Sequence, residues 1–205
     1  MTVGNDRTAK GESTYLILSQ VRESFGRVVY SHKVHEKQAD ICFCKHRRLQ
    51  GVLAVLTAIG SVTFLTEVVG LLANRTLASL TTSLVALLVT WASLGAKTFN
   101  YSEEAEAHRA TASQLWNVRE SYISLITDLT SGDISSVDAQ ARRDELQEKA
   151  YSIYSTAPRT SSRAFKRAQK GLKQNEEMTF APCEIDLFLP EALRFNNDKD
   201  QHDKF

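Results

Sequence analysis

Five side chains of metal-ligating type crowd one short stretch: His32, His35, Cys42, Cys44 and His46. On a single helix His35, Cys42 and His46 share a face, because they are spaced by seven and four. Zinc sites usually combine a cysteine pair with ligands from a second element. Cys42-x-Cys44 instead sends its thiols to different sides of a helix, so no metal site and no cofactor is predicted. A second constellation is cationic. Arg159, Arg163, Lys166, Lys170 and Lys173 step by four, three, four and three, giving one continuous basic edge with Arg167 beside it. Such an edge suits anionic lipid headgroups or the phosphates of a nucleotide or nucleic acid. Only Phe165 interrupts the charges with an aromatic ring, so base-specific reading is not supported. Nothing assembles into a nucleophile elbow, a metal triad or a paired-carboxylate motif, and the chain is not expected to be an enzyme.

The elements that position these groups are helical. Two apolar runs dominate the middle of the chain: Gly51 to Leu72, whose only charge is Glu67, and Leu77 to Phe99, whose only charge is Lys97. Each is about the ~20 residues a helix needs to cross ~30 Å of hydrocarbon. Ala73-Asn74-Arg75-Thr76 between them reads as a tight turn, which predicts a transmembrane hairpin over 51–99, with helices at 51–72 and 77–99. One such helix fits inside a soluble core; a chain of 205 residues offers little to bury two. The mean hydropathy of −0.26 and the 24 % charged residues conceal this, because the apolar content is concentrated in one block. The block starts far from Met1 with no cleavable signal pattern before it, so it is expected to be retained.

Lysine and arginine set the expected orientation. Nine precede Gly51, among them Lys45, Arg47 and Arg48 at the membrane edge; fifteen lie from Lys97 onward; the hairpin loop carries only Arg75. This asymmetry predicts a multi-pass membrane protein with both termini in the cytoplasm and a very small loop outside. Although the net charge is +1, residues 1–50 sum to +4, 97–158 to −4, and the tail from Glu176 to −5. Such alternation suits helices that contact one another or a partner. The three cysteines, Cys42, Cys44 and Cys183, do not suggest a disulfide framework in a reducing compartment.

Outside the hairpin the pattern is also all-α. Residues 1–12 read as a disordered terminus. A cytoplasmic amphipathic helix is predicted over 13–50 from Ile17, Val21, Phe25, Val28, Tyr30, Val34 and Ile41. The region 100–195 begins with a coiled-coil-like seam at Ala105, His108, Ala112, Leu115, Tyr122, Ile126 and Leu129. Ser131-Gly132-Asp133 breaks it. A helix then runs from about Ser136 to Ala157, with Leu146, Ala150, Ile153 and Tyr154 inward, and Pro158 stops it. The basic segment follows, capped by Ser161 or Ser162. Pro182 and Pro190 bracket CEIDLFL, whose Ile185, Phe188 and Leu189 form a candidate docking plug. Residues 196–205 read as a disordered tail.

Each apolar run carries a stripe of small or polar side chains. Gly60, Thr63, Glu67, Gly70 and Asn74 share one face of the first; Ser79, Ser83, Ala86, Thr90, Ser93 and Lys97 share one face of the second. Helices in lipid pack through such residues. The alternative is that a stripe lines an aqueous path, which requires self-association because one hairpin cannot enclose water. Glu67 separates the two readings: an ionised group at bilayer depth costs ~2.5–3.5 kcal/mol, so it should face a cavity, a partner or the outer interface.

The run YSHKVHEKQADICFCKHRRLQG (Tyr30 to Gly51), followed by a two-helix hairpin and a helical tail, resembles the SLATT superfamily of bacterial two-transmembrane effectors. The ending NEEMTFAPCEIDLFLPEALR resembles that of the branch encoded beside reverse transcriptases. The resemblance implies an antiphage (abortive infection) effector that forms pores in, or disrupts, the inner membrane. It further implies homo-oligomers in the bilayer and a trigger outside the chain, namely a reverse transcriptase with its RNA–DNA product, as in retrons. It supplies no catalytic residues. A membrane anchor that docks a soluble partner, and an ordinary channel subunit, are the competing expectations.

Overall fold

The computed structural model describes residues 3–61, 70, 75–181 and 184–194. Among them are five α-helices, α1 (Val3–Ile59), α2 (Arg75–Thr98), α3 (Tyr101–Ser131), α4 (Ser136–Thr156) and α5 (Ser162–Lys173), then two short 3-10 turns, Ile185–Phe188 and Glu191–Leu193. No strand occurs among the described residues. The class is all-α, as the periodicity predicts.

The frame is one antiparallel pairing along α1 from Ile17 to its C-terminal end. Its 57 residues reach about 85 Å at 1.5 Å per residue. The first proline is at Pro158, so nothing in this helix removes a ladder donor. Helix α1 begins at Val3, ten residues before the expected Ser13, so the polar segment expected to be disordered up to residue 12 is helical from Val3. It also passes Gly51 without interruption and ends at Ile59. Partner numbers fall as α1 rises: the Tyr122 hydroxyl bonds Ser24, His108 meets His35, Tyr101 lies under the Lys45 ammonium, and Gly60 approaches Val85. Helices α3 and α2 therefore cover successive lengths of one rod.

Between them the partner side is broken. Asn100 leaves helical geometry (φ −80°, ψ 58°), and the Phe99 and Tyr101 rings stack across the break with centroids 5.6 Å apart.

The main core lies where α1, α3 and α4 meet. Ile17, Val21 and Val28 pack against Leu115, Val118, Tyr122, Leu125 and Leu129, with Ala139, Leu146 and Ala150 closing the third side. Each large side chain here contributes about 1.5–3 kcal/mol by leaving water. The expected seam residues Ala105, His108, Ala112, Leu115, Tyr122 and Leu129 are all buried; Ile126 is partly buried. Serines and threonines on the outside of α3 return their hydroxyls to the carbonyl four residues back, as Thr127 does to Ile123 at 3.0 Å. Gly132, in the left-handed region at φ 80°, ends α3 and donates its N–H to the Asp128 carbonyl. The Ser135 hydroxyl accepts the Asp138 N–H and opens α4. In α4 the expected inward residue Tyr154 is instead exposed.

Candidate functional site

A polar seam is buried between α1 and α3, next to the point where the bundle gives way to the apolar helices. His32, His35, Gln38 and Cys42 face it from α1, and His108 from α3. Three- and four-residue steps place the α1 set on one stripe. The His35 and His108 Nδ1 atoms are 2.9 Å apart in a hydrogen bond, and His32 Nδ1 bonds the Ala112 carbonyl at 2.9 Å. Burial, followed by the neighbouring His108 and His32, pushes His35 down from 6.5 to about 4. Burial lowers His108 as well, against the attraction of Glu104, so both rings are neutral at neutral pH. The Nε2 of His108 is buried without a hydrogen-bond partner. An unsatisfied buried group of this kind costs about 1–3 kcal/mol.

Of the five candidates read from the sequence, His32, His35 and Cys42 stay with this seam. Cys44 is exposed, His46 is half-buried, and His32 is turned to a backbone carbonyl. The structure supplies what the local sequence lacked, a second element. Cys42 Sγ, a Glu104 carboxylate oxygen and a His108 ring nitrogen lie within 4.8 Å of one another. Burial pushes the Cys42 thiol up, while the hydrogen bond from Gln38 pulls it down.

Gln38 connects the seam to the basic helix. Its amide donates to Cys42 Sγ at 3.3 Å, and its carbonyl accepts from the Ser161 hydroxyl at 2.6 Å and the Ser161 N–H at 3.1 Å. Ser161 in turn caps α5 by accepting the Ala164 N–H. Helix α5 buries Ala164 and Ala168 against Val34 and Ile41. Its other side presents Arg163, Lys166, Arg167, Lys170 and Lys173 to solvent, with Arg159 exposed just before it. No carboxylate pairs with any of these six among the described residues.

Past α5 the chain is fastened back onto α1. The Glu177 carboxylate accepts from Lys37 at 2.7 Å and Lys33 at 3.0 Å, which hold it at about 2, far below its ordinary 4.5. It also fills the space over Gly171, where a Cβ would lie 2.9 Å from a carboxylate oxygen. Glu176 (φ 52°) and Met178 (φ 84°) adopt the left-handed region to form this turn, a cost of order 1–3 kcal/mol each. Beyond it, Ile185 and Phe188 are exposed and Leu189 is half-buried, so the candidate plug is largely uncovered among the described residues.

The apolar helices are turned outward. Leu80, Leu84, Leu87, Leu88, Trp91 and Leu94 of α2 are exposed, as are Val52, Val55 and Ile59 of α1. The described residues contain one helical stretch long and apolar enough to span a membrane, and only 6 % of its apolar window is buried. A core helix of a soluble domain would be mostly buried. Gly60 packs next to Val85, 3.5 Å from where its Cβ would be. The α2 face toward α1 is Val85, Val89, Ala92 and Ala96, of which Ala92 is buried and the others half-buried. The stripe singled out in sequence lies one residue over: Ser83, Ala86, Thr90 and Ser93 are exposed, as is Gly70. Thr63 and Glu67 lie outside the described residues, as do Ala73, Asn74, Cys183 and the tail 196–205.

A polar helical bundle bearing a lipid-compatible apolar arm defines a membrane-associated helical protein. A family model, SMODS and SLOG-associating 2TM effector domain family 4, matches residues 17–184, and the chain belongs to that family, within the SLATT superfamily. Membership supports a membrane-associated effector role in defence systems. No curated protein matches the chain, and no solved structure does.

Proposed function

We propose that the chain is a membrane-disrupting effector of bacterial antiphage defence. Residues 51–72 and 77–99 cross the inner membrane as a hairpin, and both termini lie in the cytoplasm. The observation that carries this reading is the outward-facing apolar surface of Leu80, Leu84, Leu87, Trp91 and Leu94, a face that water would penalise and lipid would not. Lys45, Arg48, Trp91 and Tyr101 surround one groove at its base, the mix of cations and amphipathic rings found at membrane interfaces.

Hairpins then associate through Ser83, Thr90 and Ser93, which lie outside the face that α2 turns toward α1. A partner that holds the bundle in a closed arrangement keeps the hairpins apart, and its loss shifts the population toward the assembled state. The partner is a reverse transcriptase carrying its RNA–DNA product. It touches the unpaired cations Arg159, Arg163, Lys166, Arg167, Lys170 and Lys173 through phosphate charge, and Ile185, Phe188 and Leu189 through apolar contact. No cofactor and no catalytic residue takes part.

Expression without the partner, followed by a membrane-potential dye, tests this. Depolarisation before growth arrest is expected; arrest with potential intact overturns it. A second reading, a membrane anchor for a soluble enzyme, draws on the exposed Ile185 and Phe188. It predicts that an unrelated two-helix anchor in place of 51–99 preserves function.

A further inference from the structure

We propose that Cys42, Glu104 and His108 form a zinc-type metal site that fastens α1 to α3 directly below the apolar arm. The three donors are one thiolate sulfur, one carboxylate oxygen and one imidazole nitrogen, and their ligand atoms lie within 4.8 Å of one another. Tetrahedral zinc, with bonds of about 2.0–2.3 Å, sets its ligand atoms roughly 3.2–3.7 Å apart. Closure around an ion therefore asks the donors to approach one another by about an ångström. Sulfur and imidazole favour zinc and its first-row neighbours over magnesium or calcium.

His108 carries the second, independent observation. It is completely buried; its Nδ1 is taken up by His35 at 2.9 Å, and its Nε2 has no partner. When Nδ1–H donates to the Nδ1 of His35, Nε2 holds the lone pair and is ready to ligate. A metal-binding histidine whose other nitrogen is held by a hydrogen bond is the usual arrangement. Gln38 does the same for sulfur, donating to Cys42 Sγ at 3.3 Å. Binding releases the thiol proton to solvent, and the thiolate and carboxylate together balance the charge of a divalent ion. Glu104 is exposed, which gives the ion an entry route and leaves a fourth position for water. His32, Cys44 and His46 take no part.

The full-length chain, purified in detergent and stripped with chelator, is titrated with Co²⁺. Saturation at one equivalent is expected, with tetrahedral visible bands, a near-ultraviolet sulfur-to-cobalt charge-transfer band, and displacement by Zn²⁺. Cys42→Ser should remove the charge-transfer band, and Cys44→Ser should leave it unchanged. Glu104→Gln alters an exposed position that the core does not use and should weaken binding at least about tenfold; His35→Asn should weaken it about 10–100-fold through loss of the supporting hydrogen bond. The proposal is overturned if the helical wild-type chain shows no saturable Co²⁺ binding. It is equally overturned if the band survives in Cys42→Ser and disappears in Cys44→Ser, or if Glu104→Gln binds like wild type.

Discussion

The Glu177 carboxylate lies 2.7 Å from the Lys37 ammonium, although 140 residues separate the two in sequence. Lys33, only 11 % exposed at its side chain, completes the pair of cations. Together they hold the strained Glu176–Met178 turn against α1, and with it the start of the segment that ends in Ile185–Phe188. A partner that grips this segment therefore acts on α1 as well.

Replacing Glu177 with Gln keeps the shape and removes the charge. Trypsin should then cut at Lys170 and Lys173 several-fold faster at neutral pH, with helix content unchanged. The pH dependence has a definite sign. The carboxyl is held at about 2 against an ordinary 4.5, so its contribution is complete above about 4.5 and is lost as pH falls toward about 2. Facing it are Lys33 and Lys37, with Glu36 alongside on α1. Between those pH values the wild-type turn should become progressively more cleavable by an acid-active protease, and the Gln variant should show no such slope.

Gln38 is buried and bonded on both sides. Gln38→Ala leaves the Ser161 N–H without its acceptor, which should cost about 1–3 kcal/mol. Hydrogen exchange should quicken in the first turn of α5 and leave the Leu115–Leu125 core protected.

Two neighbouring positions on α2 should behave in opposite ways. Ala92 is enclosed against α1, so Ala92→Leu overpacks the contact and should lower stability in detergent by about 1–3 kcal/mol. Thr90 is exposed and bonds its own helix at Ala86. Thr90→Leu should leave the thermal midpoint of the monomer unchanged and reduce self-association measured by cross-linking in vesicles.

Charge reversal at Arg163, Lys166 and Lys170 to Glu touches no buried contact. Circular dichroism should not change. Co-purification with a nucleic-acid-bearing partner should fall at least about tenfold, and the salt dependence of the remaining binding should flatten.

Much of this architecture is legible in the chain. Hydrophobic spacing marks the α3 seam and the extent of α4, and serine chemistry marks the α5 cap at Ser161, because these depend on local geometry. The offset of the α2 packing face is not legible: Ala86 and Ala92 have the same side chain, and only the partner helix decides that Ala92 is covered and Ala86 is not. The helix-forming N-terminal residues read as unstructured because their polarity hides a helix that no proline interrupts. The meeting of His108 with His35 and Cys42 needs the register of α1 on α3. A signal is present, since His108 is a polar residue in an otherwise apolar seam, but its hydrogen-bond partner His35 lies 73 residues away.

Helix α1 is continuous past the level at which its partner side is interrupted at Asn100. One unbroken helix therefore connects Lys33 and Lys37 to Ile59, while on the opposite side Asn100 separates α2 from α3. The apolar end of α1 is thus one piece with the bundle, whereas α2 joins it through a change of backbone direction.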